Sequence, residues 1–364
     1  MNEKRSFFIT EPPEDPGLLF VKLDAAIRGL REFSLISAAV ELGIFDVCTT
    51  PVTAQELASR ISSDVEMCGL LCEALVMEGL LTLENGNYSD TTLASTYLII
   101  SSPYSQVHYI RQLARMGEDL WSPLAHIIHN GPKQYDKEIF FREYSLPAMA
   151  ENALSGRLQA VILAVISLPG FDSVKRVLDL GGGHGLYAIA LGMQRPDIEA
   201  WVFDLPHVVT LAGQYLEQYN AENVHLLPGD FFSDSFGDGY DLIISSSNPS
   251  GKSIELLPKI SGALNKGGYF ITIQSPGGLP HDPFQTLEYK LWTFQGVNKL
   301  HGGFTKEKAF MTPEYRHALS ENGLVIIDER DIRDHYHEDT WVRMVITRKI
   351  TGGEEIIAKM PEQV

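Results

Sequence analysis

Apolar residues recur at helical spacing from Leu23 to Leu42 in LDAAIRGLREFSLISAAVELGIF, and Gly43 ends the run. In PVTAQELASRI, Thr53 stands as an N-cap with Glu56 three residues later, the spacing of a capping box. SDVEMCGLLCEALVMEGLL predicts the next helix, opened by Asp64 and closed by Gly79. LTLENGNYSDT predicts a hairpin turning at Asn85-Gly86. Helices followed by a hairpin make a winged-helix arrangement. Residues 93 to 165 predict further helices, punctuated by Gly131 and Pro132. From Lys175 the pattern changes to short apolar runs: RVLDL, AWVFDL, VHLLPGD, YDLIISSS, GYFITIQ, GLVIIDERDI and VRMVITRKI. Helical stretches separate the earlier ones. That alternation predicts an α/β domain, a Rossmann-like doubly wound parallel sheet with helices on both faces. The last two runs are close together and predict an antiparallel hairpin at one edge.

The pattern divides the chain into a flexible N-terminus (1–17), a mainly α winged-helix domain (18–100), a helical linker (101–165), an α/β domain (166–350) and a C-terminal tail (351–364). Winged helices often bind DNA, but the third helix, around Cys68 to Glu78, carries no Lys or Arg. A recognition helix without cations reads DNA poorly. The net charge of −18 opposes a polyanionic partner as well. The domain therefore reads as a packing and dimerisation module. With 44% apolar and 21% charged residues, the chain can bury a large core. The three cysteines, Cys48, Cys68 and Cys72, are too few for a disulfide framework. Cys68 and Cys72 share a helix face, but nothing completes a metal site, so they read as buried apolar residues and no metal is expected. No long apolar h-region and no span-length apolar run is apparent, which makes the expectation a cytoplasmic protein without a membrane partner.

The strongest chemical signal is VLDLGGGHGLYAIALGMQRPDIEAWVFDLP, residues 177 to 206. A strand ending at Asp179 enters a turn with Gly181, Gly183 and Gly185, and a helix begins near Leu186. Glycine there lets backbone approach a ligand and adopt positive φ. A second strand ends at Asp204, where a carboxylate can accept from both ribose hydroxyls of a nucleoside cofactor. The dinucleotide pattern G-x-G-x-x-G fails from Gly181, whose third glycine falls on Leu186, and from Gly182, whose second falls on His184. D-x-G-x-G-x-G fits residue for residue and points to S-adenosylmethionine, whose sulfonium and amino groups suit an acidic strand end. Asp230 and Phe231, at the end of the third strand, can take the adenine amino group and stack on its ring. Leu205 and Ser245 fall at the neighbouring strand ends. NPSGKS is no P-loop, because its first glycine would fall on Ser246.

These residues resemble the small-molecule O-methyltransferases of the plant caffeate and bacterial polyketide-tailoring type. AAVELGIFD, ELA, LDLGGGHG, FDLPHV, PGDFF, NKGGYF and TPEYRHALSENGL carry the resemblance, which covers nearly the whole chain. It implies a class I methyltransferase domain behind a winged-helix dimerisation domain, a homodimer with interlocking N-terminal helices, and a small-molecule acceptor. It also implies cofactor contacts by Gly181, Gly183, Asp204, Asp230 and Phe231. The resembled family lines its acceptor pocket with the central helices and the last helical stretch. Trp121, His126, Met149, Asn152, Ser246, Tyr289 and Trp292 fall in or beside those segments here, with core packing the alternative for the apolar ones.

One departure stands out. The resembled family follows its fourth strand with a Leu-His-Asp-Trp segment whose histidine is the general base. Here that stretch reads YDLIISSSNPSGKSIELLPKI, and no histidine occurs between His225 and His281. Ser245, Ser246, Ser247 and Asn248 occupy the region, and none is a base at neutral pH unaided. Three readings stay open. An acidic acceptor needs no base beyond orientation. A base can come from His281, Asp282, Glu288 or His301. Or the bound sulfonium serves a cyclisation or rearrangement, or no turnover at all. O-methylation is the leading expectation, with S- or C-methylation as variants.

Overall fold

The computed structural model describes residues 11–276, 283–296, 310–333 and 341–350. The chain forms two compact units, Met1–Ala114 and Arg115–Val364. The first is built from α1 (Gly17–Glu41), α2 (Ile44–Val47), α3 (Ala54–Arg60) and α4 (Val65–Met77), then β1 (Leu81–Glu84), β2 (Asn87–Asp90) and α5 (Thr92–Tyr97). Helix α6 (Val107–Met116) spans the division. Local chemistry sets the boundaries. Gly43, at φ 68°, turns the chain between α1 and α2. Thr53 and Glu56 cap α3 reciprocally, and the Asp64 carboxylate accepts from the Met67 amide at 2.9 Å to open α4. Asn85 and Gly86, at φ 51° and 80°, make the two-residue turn between β1 and β2.

Cys48, Cys68 and Cys72 are free, buried and part of this unit's core, beside Phe45, Leu57 and Leu75. Burial pushes the Cys48 and Cys72 thiols up to about 12, which keeps them protonated. No cluster of metal-ligating side chains forms among the described residues.

The second unit contains α7 (Leu124–Asn130), β3 (Lys133–Tyr135), α8 (Leu146–Asn152), α9 (Leu158–Ile166), β4 (Arg176–Leu180), α10 (Leu186–Gln194), β5 (Glu199–Asp204) and α11 (Pro206–Gln218). It continues with β6 (Val224–Pro228), β7 (Tyr240–Ser246), α12 (Leu257–Ala263), β8 (Leu264–Gln274), α13 (Pro283–Lys290), β9 (Trp292–Phe294), α14 (Pro313–Glu321), β10 (Leu324–Arg333) and β11 (Trp341–Lys349). Seven strands form one sheet in the order β10-β11-β8-β7-β4-β5-β6. Strands β4 to β8 pair in parallel, while β11 runs antiparallel to both β8 and β10. The expected hairpin is present, and its second strand is inserted between β8 and β10. Alternation along β4 sends Val177 into the core under α9, α10 and α11 and Leu178 and Leu180 into the core under α12 and α14. The chain order reverses between β4 and β7, which places the carboxyl ends of β4, β5 and β7 around the crevice where ligands of such sheets bind.

Three findings correct the sequence reading. β3 and β9 pair in parallel as a separate two-stranded sheet. Trp292, read with the last helical stretch, therefore belongs to a strand together with Phe294, because the helix before them ends at Lys290. The helical run Lys137–Ile166 is long and apolar enough, by length and composition, to cross a membrane. Half of its apolar 18-residue window is buried, and Ala150, Ala153, Leu158, Val161 and Val165 pack into the main core. Finally, the helices between residues 117 and 157 contain three wide π-type turns, at Gly117–Trp121, Phe140–Ser145 and Ala153–Arg157, which the 3.6-residue pattern does not reveal.

Asp90, at the end of β2, has both carboxylate oxygens buried without a partner. Burial first, and then Asp46, pushes this carboxyl up to about 7. A folded-state value above the unfolded one means that stability is greatest at low pH and declines as pH rises from about 4 to about 7. Asp90→Asn removes that decline. The expected result in thermal unfolding is a melting-temperature advantage of Asp90→Asn over the native chain that grows across this window and then levels off. An advantage independent of pH would show that Asp90 titrates normally.

Candidate functional site

The glycine turn after β4 is bound to the end of β5 by backbone and side chain together. The Gly181 and Gly182 amides donate to the Phe203 carbonyl at 2.7 and 3.2 Å. The Gly183 amide donates to Asp204 Oδ2 at 2.9 Å, and the Leu205 amide donates to Asp204 Oδ1 at 2.7 Å. Gly229, just past β6, donates to the Asp204 carbonyl at 2.9 Å and joins the third strand end. Gly181, Gly183 and Gly185 have φ of 67°, 55° and 73°, so all three need glycine for conformation. Gly182 needs it for space, because an added Cβ would lie 2.7 Å from Asp179 Cγ.

Asp179 lies beneath this turn, fully buried. Its Oδ2 has no partner. Desolvation, opposed by the Ala188 amide and aided by Asp204, pushes its carboxyl up to about 7. Asp204 is also raised, chiefly by burial, while the Leu205 and Gly183 amides pull it back. A ligand donor or cation would satisfy that oxygen. The two acids and three positive-φ glycines together make a polar cradle whose chemistry fits an adenosyl amino acid.

His184 is spent on the turn itself. Its Nδ1 accepts from the Leu186 amide at 3.1 Å, which leaves the ring proton on Nε2, and burial followed by Arg157 pushes its pKa down to about 3. It is neutral and no base. Asp230 lies two residues past β6, where its Oδ1 accepts from the Phe232 amide at 2.8 Å. Phe231 packs against the core between β4 and α14, and its carbonyl accepts from Lys259 Nζ at 2.8 Å.

The carboxyl end of β7 is occupied by a hydrogen-bonded knot. Asn248 Nδ2 donates to the carbonyls of Leu180, Gly181 and Ser246 at 2.8, 3.1 and 3.3 Å. Its Oδ1 accepts from the Ser250 amide at 2.9 Å and is approached by the Ser245 and Ser250 hydroxyls, which lie 2.8 Å from each other. Ser245 is completely buried in this knot, so its hydroxyl is already committed. Ser246 is half-buried, and its hydroxyl reaches the Tyr187 hydroxyl at 3.3 Å. Behind the knot, Tyr315 and Thr272 hydroxyls donate to the Gly251 carbonyl at 2.7 and 3.2 Å. The sequence places Asn248 in this region but does not show that it ties the strand ends together. Its one signal is the Asn-Pro pair, which starts a turn.

The acceptor-pocket candidates separate. Trp121 joins Leu120, Ile127, Leu291 and Trp292 in a small core, and its indole N–H donates to Glu288 Oε2 at 3.0 Å. That bond occupies Glu288, the one base candidate among the described residues. Trp292 stacks on Phe140 at 4.9 Å, within a cluster that includes Tyr135, Phe141 and Phe294. Tyr289 is partly buried on α13, and Asn152 is buried in α8. Met149 is exposed on α8, its sulfur within 3.4 Å of the Ser145 hydroxyl. His126 is exposed on α7, with its Nδ1 3.2 Å from Asn130 Nδ2. His281, Asp282 and His301 lie outside the described residues.

A seven-stranded sheet with an inserted antiparallel strand and a glycine cradle between two acids defines a class I S-adenosylmethionine-dependent methyltransferase. Residues 133–336 match the O-methyltransferase domain family, and residues 26–99 match the O-methyltransferase dimerisation domain. The chain belongs to the O-methyltransferase family and uses S-adenosylmethionine to methylate small molecules. It is 30% identical over 336 residues to an uncharacterised protein of Methanocaldococcus jannaschii, covering 90% of each chain. It is 29% identical to acetylserotonin O-methyltransferase of Bos taurus, covering 72% of this chain and 83% of that one. An O-methyltransferase family protein from Burkholderia thailandensis shares the fold with a TM-score of 0.67 at 20% identity, over 92% of this chain and 98% of that one.

Gly251→Ala tests the knot. Its methyl would lie 2.3 Å from Gln274 Nε2 and 2.4 Å from Thr272 Oγ1, both buried. The expected cost is about 1–3 kcal/mol in denaturant unfolding. An unchanged midpoint would mean that the β7 end is loosely packed.

Proposed function

We propose that S-adenosylmethionine lies across the ends of β4, β5 and β6, with its ribose on Asp204, its amino acid end toward Gly181, Gly183 and Asp179, and its adenine beside Asp230 and Phe231. Leu205 and Gly185 shape the cradle, and Ser245 supports it from the buried side. The observation that carries this reading is the Gly183–Asp204 tie, beside the unpartnered oxygen of Asp179. When bound, the cofactor supplies an electrophilic methyl group, whose C–S electron pair returns to sulfur as the acceptor bonds to carbon and S-adenosylhomocysteine remains.

The acceptor on this reading is a small organic molecule that is ionised before it arrives: an acidic phenol, an enol or a thiol. The support is the β7 end. Asn248 stands there with its amide fully engaged, and the neighbouring groups are serine hydroxyls. Proximity and orientation then carry the reaction. Oxygen is the favoured attacking atom, in keeping with the family. The active form is a homodimer through the N-terminal unit. Leu18, Leu19, Phe20, Val21, Leu23, Ile27 and Leu30 of α1 expose apolar surface that needs a cover. Three free buried thiols suit a reducing cytoplasm.

Calorimetric titration with S-adenosylmethionine is expected to show saturable binding that Asp204→Ala weakens by at least tenfold. Equal binding by Asp204→Ala would remove the ribose assignment. Across acceptors of graded acidity, the pH at which kcat/KM reaches half its plateau is expected to follow each acceptor's own pKa. His281→Ala and His301→Ala are expected to change kcat less than about threefold. A loss of about 100-fold in either, with an enzyme pKa missing from the profile, would identify a protein base instead.

A further inference from the structure

His207 is the second residue of α11, three positions after Asp204. Its Nε2 is buried and has no hydrogen-bond partner. Pro206 opens the helix just before it, and no side chain caps the helix. The ring lies 6.4 Å from Phe141, which continues through Phe294 and Phe140 to Trp292 as a connected group of aromatic rings. An imidazole nitrogen buried without a partner carries a desolvation cost that a hydrogen bond would remove. Each Asp204 oxygen already accepts from one backbone amide, Gly183 or Leu205. A ribose brings two hydroxyl donors to that crowded carboxylate.

We propose that His207 is a third polar group of the ribose site: its Nε2 accepts from one ribose hydroxyl while Asp204 accepts from the other. The inference rests on the placement of the cofactor given above. It makes His207 a binding residue, distinct from any base, and places Phe141 as the wall that holds its ring.

The test is calorimetric binding of S-adenosylhomocysteine and of its 2′-deoxy and 3′-deoxy forms to the full chain. His207→Phe keeps the ring's bulk and removes the acceptor. It is expected to bind S-adenosylhomocysteine about tenfold more weakly than the native chain. Against one of the two deoxy forms, native and His207→Phe chains are expected to bind equally, because the hydroxyl His207 holds is already gone. His207→Gln, whose amide oxygen can stand where Nε2 stands, is expected to stay within about threefold of native. Native affinity in His207→Phe, or an equal loss on all three ligands, would overturn the proposal. If His207→Phe does not fold, His207→Asn, too short to reach, carries the same comparison. Failure of this inference is separate from failure of the cofactor placement, which Asp204→Ala reports alone.

Discussion

The amide of Asn248 holds the open end of the sheet together. One side chain reaches the carbonyls that end β4 and begins the turn after β7, so two parallel strands that diverge toward solvent are joined where the ligand crevice begins. Gly181 answers this closeness, since a Cβ there would lie 2.7 Å from the amide carbon. Once Asn248 is fixed, the glycine turn has a floor, and Gly183 can offer its amide to Asp204. The same bonds remove Asn248 from chemistry. A group with donors and acceptor all engaged rigidifies a site and moves no proton.

The cradle is electrostatically expensive when bare. Asp179 and Asp204 are both buried and raised by that burial, Asp204 raises Asp179 further, and one Asp179 oxygen has no partner. A cationic, donor-rich ligand relieves both costs together. The charge of the site thus suits an adenosyl sulfonium, in keeping with the placement proposed above.

Much of this was legible in the sequence, for specific reasons. Glycine spacing, the two acids and the strand alternation report on backbone conformation and burial, which are local. Thr53, Asp64 and Asn85-Gly86 were readable because caps and tight turns are encoded within a few residues. Asn248 and the β3–β9 pair were not, because the partners of Asn248 lie 67 and 26 positions away and the two strands are more than 100 positions apart. Trp292 and Phe294 are separated by two positions, which a strand explains as well as a distorted helix does. The π-type turns hide for the same reason: one extra residue per turn shifts the apolar stripe without erasing it.

The insertion of β11 between β8 and β10 has a consequence for synthesis. Among the described residues β10 pairs only with β11, so its paired backbone groups stay unmatched until residues 341–349 exist. A nascent chain halted before Trp341 carries two open strand edges at once, on β8 and on β10. β11 thus acts as the keystone of a sheet whose first strands were complete well over a hundred residues earlier, and the emerging chain depends on protection from edge-to-edge association until it arrives.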